Sequence, residues 1–159
     1  MRGFGRRRLV AWLAVLGLLA GAAVASALAA AEPKASRAQP TLSATQWKAI
    51  QRVISQQRRA LIAGDGSRAF GYASPGIQAQ FGDAAMFLSM VQTGYAPLLT
   101  ARYAEFLEGA VIDGVVVQPL RLIDADNTVR VALYTMQRQA NGTWRISGCR
   151  IAPSTVQAV

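Results

Sequence analysis

The chain of 159 residues contains no histidine and a single cysteine, Cys149, and it sets only eight acidic residues against 17 basic ones. Each scarcity excludes some chemistry. Without histidine, neither a Ser-His-Asp nor a Cys-His nucleophile pair can form, and zinc loses its commonest nitrogen ligand. One cysteine excludes an intrachain disulfide and, with no imidazole to assist it, a structural zinc site. Acidic residues are too sparse for a carboxylate calcium loop. The stretch DADN, Asp124 to Asn127, offers two acids but lacks the glycine and the terminal glutamate of such a loop, so it reads as a hairpin turn. No metal and no cofactor is expected.

What is present begins with a basic start, MRGFGRRR, followed by an uncharged run from Leu9 to Ala31 that ends in small residues. This is the pattern of a secretion leader, with Ala25-Ser26-Ala27 and Ala27-Leu28-Ala29 as cleavage sites. The alternative is an uncleaved anchor, because the run approaches the ~20 residues that span a bilayer. Arg6-Arg7 also fits a loose twin-arginine export pattern, though the strongly apolar centre favours general secretion. The expectation is an exported, periplasmic protein with a signal peptide at 1–31, in contact with a membrane only if the leader stays. The leader holds four of the 17 basic residues and none of the eight acidic ones, so the remainder carries +5 rather than the +9 of the whole chain. These charges are scattered, which argues against nucleic acid as a partner. The one adjacent basic pair in the body, Arg58-Arg59, reads as a solvated helix face.

Residues 32–42 are polar, aperiodic and contain Pro33 and Pro40, a flexible linker before a single domain at 43–153 and a short tail at 154–159. Ser43 and Gln46 form a capping box. Trp47, Ile50, Val53, Ile54, Leu61 and Ile62 recur at helical spacing, which predicts one long amphipathic helix stopping at Gly64. Asp65 is placed to cap a short helix with Ala69 and Phe70, Ser74-Pro75 breaks the chain, Ile77 and Phe81 anchor another turn, and Asp83 caps a helix carrying Phe87, Met90 and Val91. From about Tyr103 the period falls to two. Three β-branched runs, separated by DADN and by Ala140-Asn141-Gly142, predict three to four antiparallel strands joined as hairpins. Helices followed by a meander give an α+β domain, the helices laid on one face of a curved antiparallel sheet. Pro119 lacks an amide hydrogen and is expected at an edge strand or a bulge.

The residues GDGSRAFGYASPGIQAQFG, FLSMVQTGY and TWRISGC resemble an uncharacterised bacterial family, domain of unknown function 4864, across nearly the whole of the expected mature chain. The matching positions are Gln57, Asp65, Ala69-Phe70, Ser74-Pro75, Phe81-Gly82, Trp144 and Gly148-Cys149. The resemblance implies a fold similar to the cystatin-like, nuclear-transport-factor-2-like superfamily, a bent sheet around a long helix enclosing a cone. It implies no activity.

Site candidates follow from types and positions. Gln57 interrupts the apolar stripe of the long helix, so its amide should face the sheet and must find partners. Either it bonds the backbone of Ser74-Pro75 or of a strand, or it lines a cavity and meets a ligand. Phe70, Phe87, Tyr95, Tyr103 and Tyr134 complete the expected cavity lining, and a small apolar ligand is the expected occupant. Proton transfer by Asp65 or Asp83 with a tyrosine is the enzymatic alternative; both aspartates also sit where N-caps belong, and no catalytic residue is assigned. In the central strand run, Val129, Val131 and Leu133 alternate with Ala132, Tyr134 and Met136, so both faces are apolar. A homodimer through the outer sheet face, or a structural envelope role for that face, is a further expectation. Strict alternation from Trp144 turns Cys149 outward, whereas a bulge at Gly148 would return it and Ile151 to the core. The open roles for Cys149 are a buried apolar side chain, an intermolecular disulfide, or a reactive thiol between Arg145 and Arg150.

Overall fold

The computed structural model describes residues 41–153. The expected leader at 1–31, the linker as far as residue 40 and the tail at 154–159 lie outside the described residues.

Helix α1, Ala44–Ile62, begins with the expected capping box: the Gln46 N–H donates to Ser43 Oγ at 3.2 Å and the Ser43 N–H donates back to Gln46 Oε1 at 2.8 Å. It ends where Gly64 adopts φ +72°, a left-handed turn that glycine takes without strain. The next helices start on the residues their sequence marks. Asp65 caps α2, Gly66–Gly71; Ser74 caps α3, Pro75–Phe81; Asp83 caps α4, Ala84–Gly94. A fifth helix, α5, Ala96–Thr100, was not expected from the sequence. Its only mark is Pro97 in the first turn, where the missing N–H has no intrahelical partner to lose.

The sheet has five strands: β1 Tyr103–Phe106, β2 Ala110–Ile112, β3 Val115–Ile123, β4 Val129–Arg138 and β5 Trp144–Pro153. All pairings are antiparallel. β1 and β2 both pair with β3, at Leu120–Ile123 and Val115–Val117 respectively, so they are two halves of one interrupted edge, and the sheet is four strands wide. The run from Gly109 to Asp124 therefore holds two strands. Asp113 and Gly114, both at positive φ, form the two-residue turn that splits it. In the interruption, a Cβ on Gly109 would lie 2.4 Å from a Trp47 ring carbon, so the ring rests on the backbone between β1 and β2 and a larger residue there would have to displace it.

Pro119 corrects an expectation, because β3 is bonded on both sides and is not an edge strand. The reason lies opposite it, in the break between β1 and β2. Leu107 N–H donates to the Pro119 carbonyl at 3.1 Å, and the return bond that proline cannot make is supplied by Gln118, whose Nε2 donates to the Leu107 carbonyl at 2.7 Å. Gln118 is fully buried, and its Oε1 accepts from Gln51 Nε2.

The inner face of the sheet carries Val116, Leu120 and Leu122 from β3, Ala132, Tyr134 and Met136 from β4, and Trp144 and Ile146 from β5, packed on Ile50 and Ile54 of α1. Burying each of the two isoleucines contributes about 1.5 to 3 kcal/mol. A second cluster, Ala60, Leu61, Ala69, Phe87 and Val91, joins α1 to α2 and α4. The segment between α2 and α3 is clipped to the β5 edge, with Ile146 N–H donating to Tyr72 O and Ser74 N–H to Ile146 O. The result is the expected α+β domain, five helices packed on a curved antiparallel sheet.

The strand register decides the direction of Cys149. Thr135 lies opposite Gly148 and Met136 opposite Ile146, so Ser147 is the extra residue of a bulge. Beyond it, Cys149 faces Tyr134 and Ile151 faces Ala132, both on the core side. A Cβ on Gly148 would lie 2.7 Å from Thr135 Oγ1, so a larger residue at the bulge would have to displace that hydroxyl.

Candidate functional site

The two clusters meet without closing fully. Between them lies a cavity of about 210 Å³ whose walls come from α1 (Gln57, Leu61), α3 (Ile77, Phe81), α4 (Phe87, Val91), α5 (Leu98) and the β5 bulge from Ile146 to Cys149. Most of this lining is hydrocarbon, supplied on α1, α3 and α4 by residues at i and i+4 on one face. Polar groups are few and uncharged: the amides of Gln57 and Gln80, the hydroxyls of Tyr95 and Ser147, and the Cys149 thiol. Gln80 and Ser147 are exposed, which marks the mouth.

Gln57 is 4% exposed. Its Nε2 donates to the Ala69 carbonyl at 3.3 Å, so the partner is the second helix and not the Ser74-Pro75 backbone or a strand. No protein donor among the described residues meets its Oε1. One half of the amide ties α1 to α2, and the other half leaves an acceptor at the cavity wall. Tyr95 also lines the cavity, and its hydroxyl donates to the Cys149 carbonyl at 3.0 Å, which fixes the bulge against the α4–α5 junction. Phe87 forms part of the floor, packed between Phe70 at 5.3 Å and Phe81 at 5.8 Å between ring centroids.

Of the six residues expected at the site, three therefore converge: Gln57, Phe87 and Tyr95. Phe70 stands one layer back, behind Phe87. Tyr134 lies beneath the cavity on β4, 1% exposed, with its hydroxyl next to the Cys149 thiol and in no hydrogen bond of ordinary geometry. Tyr103 is elsewhere. It pairs with Ile123 on the outer face of the sheet and is half exposed, because β1 places its even-numbered residues inward.

Burial pushes the Cys149 thiol up to about 12, an effect that the neighbouring Tyr134 hydroxyl only partly offsets. The same burial pushes Tyr134 well above its ordinary value. Cys149 is thus a protonated, inward-facing thiol at neutral pH, with no route to a disulfide across the outer sheet face. Asp65 and Asp83 are helix caps, each accepting a backbone N–H, from Arg68 at 2.9 Å and Met86 at 2.8 Å. Neither lines the cavity, so the aspartate–tyrosine pair of the enzymatic alternative does not come together.

A second hollow of about 170 Å³ lies between the neighbouring face of α1 and β1 and β3. Here the expectation for Arg58 needs correction. Its guanidinium is not on a solvated face; Nε donates to Leu98 O at 2.8 Å and Nη2 to Ala101 O at 2.9 Å, holding the carbonyl end of α5. Burial lowers its pKa from the ordinary arginine value.

Leu61, Ile77, Val91 and Leu98 were not expected at the site. Periodicity marks Leu61, Ile77 and Val91 as apolar helix faces but does not say whether facing surfaces close, and Leu98 lies on α5, which the sequence does not mark. Ser147 enters only through the bulge.

No curated protein and no solved structure matches the chain. Residues 43–159 match the family described as "Domain of unknown function (DUF4864)". The match begins on the N-cap of α1 and takes in every helix and strand described above, and the chain belongs to that family.

Proposed function

We propose that this is an exported binding domain whose first cavity holds a small neutral ligand, or one apolar side chain of a partner, with Gln57 Oε1 accepting its single polar hydrogen. The observation that supports this most is the pairing of an apolar hollow with an unmet acceptor. A cavity of about 150 Å³ with apolar walls is large enough to take benzene, and this one is about 210 Å³. No charged side chain lines it, so an ionic ligand would lose its hydration without compensation.

Export rests on the leader pattern of residues 1–31. Sequencing the N-terminus of the exported protein should find a start after Ala27 or Ala29; a start at Met1 would replace export with anchoring. Ligand capture is tested on purified protein by native mass spectrometry and by thermal shift against small neutral aromatics and alcohols. Retained or saturable binding is expected. Finding no bound species and no shift across the panel would sink the reading.

One observation favours a second reading, a scaffold acting through the outer sheet face. Tyr103, Ile112 and Val115 are large apolar side chains left about half exposed along that face. Sedimentation equilibrium separates the readings: a dimer that Tyr103→Ser and Ile112→Ser dissociate supports the scaffold, and a monomer at all concentrations removes it.

A further inference from the structure

The second cavity differs from the first in carrying a fixed positive charge. Arg58 forms one wall, with Ser55 one turn earlier on the same face of α1 and Arg59 beside it, while Phe106, Leu120 and Ala104 form apolar walls from the sheet. The two bonds from Arg58 to the α5 carbonyls use two of the five N–H donors of a guanidinium. No protein acceptor among the described residues meets its Nη1. No carboxylate pairs with Arg58 either: the ion pairs among the described residues are Arg121 with Glu105 and Arg130 with Asp124.

A half-buried cation has given up part of its hydration, and the two carbonyl bonds recover that loss only in part without a counter-ion. Its two carbonyl bonds also hold the guanidinium in one orientation before anything binds, which removes an ordering cost that a free surface arginine would meet. The carbonyls supply dipoles but no full negative charge. An anion at Nη1 would complete the set with a charge-assisted bond.

We propose that this hollow binds a small amphipathic carboxylate, with the carboxylate on Arg58 Nη1, Arg59 and the Ser55 hydroxyl, and a short apolar body against Phe106 and Leu120. The volume of about 170 Å³ limits that body to roughly the size of a benzene ring or a short alkyl chain. This site is independent of the neutral cavity on the adjoining face of α1.

The test uses hexanoate as the probe and 1-hexanol as its uncharged analogue, followed on the amide resonances of ¹⁵N-labelled protein. Hexanoate is expected to move Ser55, Arg58, Ala104 and Phe106 saturably, and hexanol at equal concentration is not. Arg58→Gln should weaken hexanoate by more than about tenfold, a loss of about 1.4 kcal/mol. Because that change also releases the end of α5, two further variants keep the test decisive. Arg59→Ala removes an exposed charge and should weaken binding severalfold. Ala104→Leu keeps both arginines, fills the hollow and should abolish binding in a folded protein. Equal binding of hexanol, saturable shifts confined to Gln57 and Phe87, no saturable shift at all, or unchanged affinity in Ala104→Leu would each overturn the proposal.

Discussion

The two hollows share α1 as a wall and are furnished in opposite ways. The first is bounded by helices α3, α4 and α5 and by a bulged strand, and every polar group in it is neutral. The second is bounded by regular strands and holds two arginines and a serine hydroxyl. One helix produces both because neighbouring faces of α1 point in different directions: Gln57 and Leu61 on one, Ser55, Arg58 and Arg59 on the next. In both hollows the chemistry is set by the residues that interrupt the apolar stripe of α1. An amide in the stripe makes a neutral site, and a guanidinium makes a charged one.

The largest effect is expected at Phe87. Truncation to alanine removes a buried ring held between Phe70 and Phe81 and should cost about 3 to 4 kcal/mol by urea denaturation. The first cavity should lose its shape, while hexanoate binding in the second persists. Loss of both together would show that the two hollows are one cooperative unit.

Gln57→Leu should have a smaller effect, confined to the first cavity. It removes the bond to the Ala69 carbonyl, which still accepts from the Tyr72 N–H, so the cost should be only about 1 kcal/mol. Neutral-ligand capture should fall more than stability does. Lost stability with unchanged capture would remove Gln57 from the site.

Tyr134→Phe is expected to act in the opposite direction. The hydroxyl is buried without a partner of good geometry, so deleting it should stabilise the fold by up to about 1 kcal/mol. It should also alter the response to alkali. Burial holds both the Tyr134 hydroxyl and the Cys149 thiol above their ordinary pKa, so the folded chain keeps protons that the unfolded chain releases. Stability is then full below the ordinary thiol pKa of 9.0 and falls as pH rises toward about 12. Denaturation midpoints followed from about pH 8 to about pH 11 should decline, and the Tyr134→Phe, Cys149→Ala pair should flatten that decline. A level wild-type profile would contradict the buried placement.

The smallest effect belongs to the caps. Asp83→Ala removes one side-chain bond to the Met86 N–H and should cost about 0.5 to 1 kcal/mol by thermal unfolding, with neither cavity altered. A loss of ligand binding in this variant would return Asp83 to the site.

Much of the framework could be read in advance because it is local. Ser43 with Gln46, Asp65, Ser74 and Asp83 each satisfy backbone N–H groups three residues on, and those signals depend on nothing distant. The α+β order is visible in the change of period near Tyr103. What could not be read depends on residues far apart in the chain. The place of Pro119 in a central strand requires the break at Leu107 to Gly109 and the Gln118 side chain that bridges it. Arg58 resembles any solvated arginine until α5, a helix with almost no sequence signature, brings two carbonyls to it. The site was legible in part for the same reason. Gln57, Phe87 and Tyr95 lie on strongly patterned elements, whereas Tyr103 was misplaced because its parity in β1 is fixed only by pairing with β3. Gly148 was informative in both senses, since the bulge it permits turns Cys149 inward and brings Ser147 to the cavity mouth.

Whether the first cavity takes small neutral molecules is decided by methyl-resolved NMR of the purified protein during titration with phenol. Saturable shifts of Leu61, Val91, Leu98 and Ile146 are expected, reduced in Gln57→Leu, with Val131 and Leu133 on the outer sheet face unmoved. Shifts confined to Val131 and Leu133, or none at the cavity methyls, would contradict binding in that cavity.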